Sequence, residues 1–163
     1  MDNWHQSQRG FFAGKLLELM REDPKIIVLT GDLGFGMLDT IKKEFPKRFI
    51  NCGASEQAMI GIAVGLAQEG MKPFVYTITS FFLRCAETLH LYVGHEKAPV
   101  RLVGGGRDND YKHDGVSHLG QKAQEFIHTL KIVEGYPETK EQVPDIIKYM
   151  AENDVPSFIS LTR

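Results

Sequence analysis

Cysteine is scarce in this chain. Two residues, Cys52 and Cys85, are all that 163 positions hold. Their separation has no metal-ligand pattern, and they read as reduced, buried thiols of a cytoplasmic protein rather than a disulfide framework. Charge of one sign is also missing. Nineteen basic residues against twenty-one acidic ones give a formal net charge of −2, so nothing points to a nucleic acid or to an anionic membrane surface as partner. No apolar run approaches the roughly 20 residues of a membrane-spanning helix. The first nine residues are polar and lack the apolar core of a secretion signal. Internal repeats and low-complexity tracts are absent as well. What remains is ordinary for a globular protein, 42% apolar and 25% charged. That is enough chain for one well-buried core, read as a single domain over 1–163.

The pattern along the chain alternates. Phe11, Phe12, Leu16, Leu19 and Met20 predict a helix over 8–21, stopped by Asp23-Pro24. Ile26-Ile27-Val28-Leu29 is a short continuous apolar run, the signature of a strand buried on both faces. Further strands are predicted over 48–51, 73–77, 99–103, 131–134 and 156–161. Helices are predicted over 38–45, 55–69, 81–93, 121–129 and 140–153. Six strands alternating with helices specify an α/β domain, doubly wound, with a six-stranded parallel sheet. Ligands of such domains sit beyond the carboxyl ends of the strands. Four loops follow strands there and are expected on one rim: 31–36, 51–55, 77–80 and the glycine- and charge-rich 104–119.

The residues that bear chemistry fall in those loops. In Cys52-Gly53-Ala54-Ser55-Glu56-Gln57-Ala58-Met59, Gly53 suits a tight turn, Ser55 an N-cap, and Glu56 the first helical turn, where the dipole favours a carboxylate. Taken alone this is simply a well-charged helix start. Gly61 and Gly65 lie four apart on one face of the same helix and allow close approach of a neighbour. Phe81 and Phe82 read as core residues. Asp114-Gly115-Val116-Ser117-His118 pairs an acid and an imidazole at short spacing, and imidazole suits proton transfer near neutral pH. Gly104-Gly105-Gly106 has the look of a phosphate cradle, on weak grounds. Gly31-Asp32-Leu33-Gly34 reads equally as a tight turn.

The string from Phe49 to Ala67, with Gly53, Glu56 and Met59 as Gly-x-x-Glu-x-x-Met, resembles transketolases, deoxyxylulose phosphate synthases and the beta chains of 2-oxoacid dehydrogenases. The resemblance runs from about Arg9 to the end of the chain and implies a thiamine diphosphate pyrimidine-binding domain. It assigns Glu56 to a ring nitrogen of the cofactor's aminopyrimidine, promoting the imino form, in a dry pocket whose carboxyl keeps its proton best without a cation nearby. It assigns Phe81 to stacking on the pyrimidine, and Ile78, Arg84, Asp32 and Leu33 to its surroundings. Ile78 stands where the family usually has an aromatic, and Arg84 resembles the deoxyxylulose phosphate synthase version. Asp114 and His118 resemble the substrate-facing Asp-Gly-x-Thr-His of transketolases, which makes His118 catalytic with Glu56 and puts His113 beside the substrate. Arg9 falls near a family arginine that contacts substrate phosphate, about one residue out of register.

The family's Gly-Asp-Gly with its following asparagine pair, which holds magnesium and diphosphate, is not found, nor is a third, carboxyl-terminal domain. The resemblance therefore implies half a site and no metal ligand in this chain. A separate subunit would hold the diphosphate and Mg2+, in a heterotetramer built on a homodimer of this chain that meets across the 55–69 helix. The expected activity is transfer of a two-carbon ketol unit between sugar phosphates or related sugars. Alternatives are a 2-oxoacid decarboxylase or dehydrogenase, a deoxyxylulose-phosphate-synthase-like condensation, or a non-catalytic scaffold.

Overall fold

The computed structural model describes residues 6–163. The polar start read as lacking a signal lies, over residues 1–5, outside the described residues. Six strands form one sheet: β1 (Ile26–Thr30), β2 (Phe49–Asn51), β3 (Lys72–Ile78), β4 (Arg101–Gly105), β5 (Val133–Gly135) and β6 (Ser157–Leu161). Their order is β2-β1-β3-β4-β6-β5, and every pairing is parallel. β1, β4 and β6 are buried along their whole length, as the central strands of a parallel sheet covered on both faces must be. The edges are three-residue strands, short enough to offer little to a stray strand.

Helices cover both faces. α1 (Gln8–Glu22), α2 (Asp39–Glu44) and α6 (Val143–Glu152) close a core around Phe12, Leu16, Phe74 and Ile159. On the other face α3 (Glu56–Gln68) and α5 (Gln121–Thr129) pack with Leu29, Val75, Phe82 and Leu102. Between β3 and β4 the chain does not form the regular helix expected over 81–93. It winds as a 3-10 helix over Thr79–Cys85, one α turn, α4 (Ala86–Thr88), and a π-helical stretch over Leu89–His95. The buried residues Phe82, Cys85, Leu89 and Val93 have spacings that suit an α-helix equally well, so periodicity alone reads one. The tight first part follows from packing on β4, where the Thr79 hydroxyl donates to the Gly105 carbonyl at 3.3 Å.

Two strands are displaced from their expected places. Lys131 takes a positive φ of 52°, which bends the chain before β5 can begin. β4 begins two residues late and continues into Gly104 and Gly105, which pair with Thr77 and Ile78 of β3. These glycines form no phosphate cradle. A Cβ on Gly104 would stand 2.5 Å from Thr79 Oγ1 and 3.0 Å from Phe158, and one on Gly105 2.8 Å from the Tyr76 hydroxyl. They are small because the 3-10 segment and the Tyr76 ring lie directly on them.

Arg101 is the largest fully buried side chain. Its guanidinium donates to the carbonyls of Met150 (3.0 Å), Asn153 (3.1 Å) and Pro99 and to Asp154 (3.0 Å). It thus satisfies carbonyls at the end of α6 that have no helical partner and ties that helix to β4.

Arg101→Met should lower stability by about 2–4 kcal/mol, because the stranded carbonyls lose charged donors; denaturant unfolding measures it. Gly104→Ala should cost about 1–3 kcal/mol through overpacking. Gly61→Ala, where an added Cβ meets nothing within 4 Å, should instead stabilise the free chain by about 0.4–1 kcal/mol.

Candidate functional site

The strand order reverses between β1 and β3. The chain leaves β1 towards β2 on one side and leaves β3 towards β4 on the other, which opens a crevice at their carboxyl ends. All four loops expected on one rim meet there. The Asn51 side chain joins the first two: its carbonyl accepts from the N–H of Asp32 and of Gly53, each at 3.0 Å, and its amide donates to Asp32 at 3.0 Å. Asp32, at φ 58°, is held in the left-handed region by this clamp.

Glu56 opens α3 and is only 4% exposed. Ser55 stands at the N-cap position but makes no side-chain capping bond, contrary to expectation. The carboxylate is dry, yet a cation is close: Arg84 Nη1 lies 3.0 Å from both Glu56 oxygens. The expected cation-free pocket is therefore corrected, since a buried carboxylate must take the donor within reach. The same guanidinium lies over the Phe81 ring, 3.8 Å from its centroid.

The 3-10 geometry explains how Phe81 and Arg84 come together. Residues three apart eclipse one another in a 3-10 helix, so the two fall in one row. Ile78 ends β3 just ahead of that helix. The neighbouring row, Thr79, Phe82 and Cys85, is fully buried and anchors the segment. Burial pushes the Cys85 thiol up to about 12, with Glu56 adding to the effect, which leaves it an inert core group. Cys52 is only half-buried, less than expected.

His118 reaches the same place from the long loop, its ring meeting Phe81 edge-on with centroids 5.1 Å apart. Ser117 Oγ lies 3.0 Å from His118 Nδ1. Asp114 is exposed and pairs with His113 at 3.2 Å. The rest of that loop is braced: Arg107 donates to the carbonyls of Pro137 (2.9 Å) and Ser160, and Asp110 accepts from the N–H of Arg107 and of Arg163.

Beside this cluster lies a cavity of about 400 Å³ lined by Leu33, Phe35, Tyr76, Ile78, Tyr111 and two arginines, Arg9 and Arg163. Arg9 Nη1 donates to the Tyr111 hydroxyl at 3.0 Å, while its Nε is buried without a partner. Burial pushes the Tyr76 phenol up to about 12, against the opposing pull of Arg9. Leu33 and Ile78 thus face this cavity, while exposed Asp32 serves the Asn51 clamp.

Sequence reasoning missed Arg163, Tyr111 and Phe35, which have no local motif. It also missed two buried hydroxyls without partners, Thr77 and Ser80. Thr77 Oγ1 and Glu56 Oε1 both lie 3.7 Å from where a Gly31 Cβ would stand, so Gly31 keeps open the gap that both face. A buried carboxylate, an aromatic face and unused hydroxyls together suit a flat heteroaromatic ring with N–H donors.

Comparison with known proteins agrees with this geometry. The sequence profile of the transketolase pyrimidine binding domain matches residues 6–163. The chain is 27% identical over 164 residues to an apulose-4-phosphate transketolase subunit of Phocaeicola vulgatus, covering 95% of this chain and 51% of that one. It is 34% identical over 110 residues to the 1-deoxy-D-xylulose-5-phosphate synthase of Clostridium kluyveri, covering 67% and 18%. A split-gene transketolase, solved as an inactive β4 tetramer, superposes with a TM-score of 0.84 at 29% identity, over 96% of this chain and 51% of that one. The chain spans about half the length of the transketolase subunit it matches. With the family's profile matching residues 6–163 and the six-stranded parallel sheet superposing on a split-gene transketolase, the chain belongs to the transketolase pyrimidine-binding domain family.

Proposed function

We propose that this chain is the pyrimidine-binding part of a thiamine-diphosphate-dependent transketolase, which moves a two-carbon ketol unit between sugar phosphates. A separate subunit supplies the diphosphate and Mg2+ site. The observation that carries the reading is the buried Glu56 carboxylate joined through Arg84 to the Phe81 face, with the His118 ring meeting Phe81 edge-on.

The bound cofactor supplies an electron sink for the two-carbon fragment. The residues of this chain position and tune it. Glu56 would face a ring nitrogen of the pyrimidine, in a place where water cannot compete. Phe81 gives the ring a stacking face, with Ile78 and Leu33 as apolar walls. His118 gives and takes protons at substrate oxygens, Asp114 accepts from a substrate hydroxyl, and His113 steadies Asp114. Arg9 and Arg163 place two guanidinium groups on the cavity, which suits the phosphate end of a sugar phosphate.

Two features support a partner. Phe35 and Val116 stand on the active rim 76% and 85% exposed, apolar where a covering subunit would lie. The relative solved as a β4 tetramer is an inactive one. Copies of this chain would pair across α3, where Gly61 and Gly65 leave room. A second reading, condensation of a 2-oxoacid with an aldehyde phosphate, is favoured by Arg84 and by the identity to deoxyxylulose phosphate synthase. A panel of ketose and 2-oxoacid donors separates the two.

With the partner subunit present, Glu56→Gln should cut ketol transfer at least about a hundred-fold, measured by coupled assay. Full activity in this variant would sink the proposal. Arg9→Ala should raise KM about 10–100-fold for phosphorylated substrates, with little change for unphosphorylated analogues. An equal rise for both would place the phosphate elsewhere.

A further inference from the structure

Arg84 occupies the place that the functional reading gives to the cofactor's pyrimidine. Its guanidinium is flat, carries N–H donors, bonds both oxygens of Glu56 at 3.0 Å and lies 3.8 Å over Phe81. An aminopyrimidine would need the same two partners, and one flat group leaves no room for another. The two members of the pair differ in access. Glu56 is 4% exposed whereas half of the Arg84 side chain faces solvent, so Arg84 alone can leave without disturbing the core. Its backbone, at the end of the 3-10 row, stays fixed by Phe82 and Cys85.

Resting on the thiamine reading above, we propose that Arg84 is a built-in occupant of the pyrimidine slot. It closes the site in the free chain and swings out when cofactor and partner arrive together. The physical logic is exchange of one donor for another. A buried carboxylate stripped of its partner is strongly unfavourable, so the slot is never simply empty. Arg84 keeps Glu56 satisfied until the pyrimidine's N–H donors replace it. A site closed most of the time binds its ligand more weakly by the fraction of time it is open. The contacts that the partner makes to the diphosphate then supply the difference, which ties opening of the site to assembly. The arginine that resembles the deoxyxylulose phosphate synthase residue thereby acquires a role in the free chain.

The experiment compares wild type, Arg84→Ala and Arg84→Gln, each mixed with the partner subunit, by calorimetric titration with thiamine diphosphate and Mg2+. Thermal unfolding of each chain alone, with and without free thiamine, accompanies it. Circular dichroism checks folding of the alanine variant, and Arg84→Gln, whose shorter and neutral side chain holds Glu56 more weakly and vacates the slot more readily, replaces it if it does not fold. Emptying the slot should tighten Kd about tenfold. It should also lower the melting temperature of the unliganded chain, and let free thiamine raise it more than in wild type. Unchanged or weaker binding in both variants, with wild type binding normally, overturns the occupant role and leaves the thiamine reading standing. Binding by none of the three, wild type included, overturns the thiamine reading and the occupant role with it.

Discussion

Glu56 is a carboxylate held out of water at the first turn of a helix, and such a group must be bonded at all times. Much of the local architecture follows from that demand. Gly31 leaves space beside it, Thr77 turns a hydroxyl into the same gap, and Arg84 covers it from the solvent side. The helix start contributes its dipole, but Ser55 adds no side-chain bond. The carboxylate is therefore fixed by what surrounds it in space more than by its own turn.

The second determinant is the pitch of the segment after β3. A 3-10 helix of seven residues is unusual, and it persists here because one of its rows is buried and its first hydroxyl is bonded to β4. That pitch brings an aromatic and a cationic side chain, Phe81 and Arg84, into line. Gly104 in β4 is what lets the segment lie so close. A feature that reads locally as a ligand loop is thus a packing requirement that serves the site at one remove.

Most of the fold is legible directly in the chain. Central strands such as Ile26–Thr30 announce themselves as unbroken apolar runs, α5 has the bounds its periodicity predicts, and the Gly53-to-Met59 turn marks the one helix whose start matters most. The pitch of the Thr79–His95 stretch is not legible, because spacings of three and four satisfy several helices and its first turn is set by packing on Gly104, far along the chain. The Glu56–Arg84 pair is equally hidden. Each residue stands out in its own motif, but nothing local says that they meet. Arg163 and Tyr111 enter the cavity only once the sheet has brought the chain's end beside its beginning, through contacts such as Gln8 Oε1 with the Thr162 N–H.

The Asn51 clamp has a bearing on anyone who would redesign this protein. Through one side-chain amide, the loop after β1 and the turn before α3 form a single mechanical piece. Leu33 and Phe35 on the cavity wall therefore cannot be remodelled as though they were independent of the Glu56 turn, because a shift in the first loop is transmitted to the second. The 107–119 segment is different. It is braced on Pro137, Ser160 and Arg163 and meets the Glu56 cluster through the contact of His118 with Phe81. That segment is joined to the carboxylate only at one remove, from His118 through Phe81 to Arg84, so it can be recut with less effect on the Glu56 turn than the loop after β1.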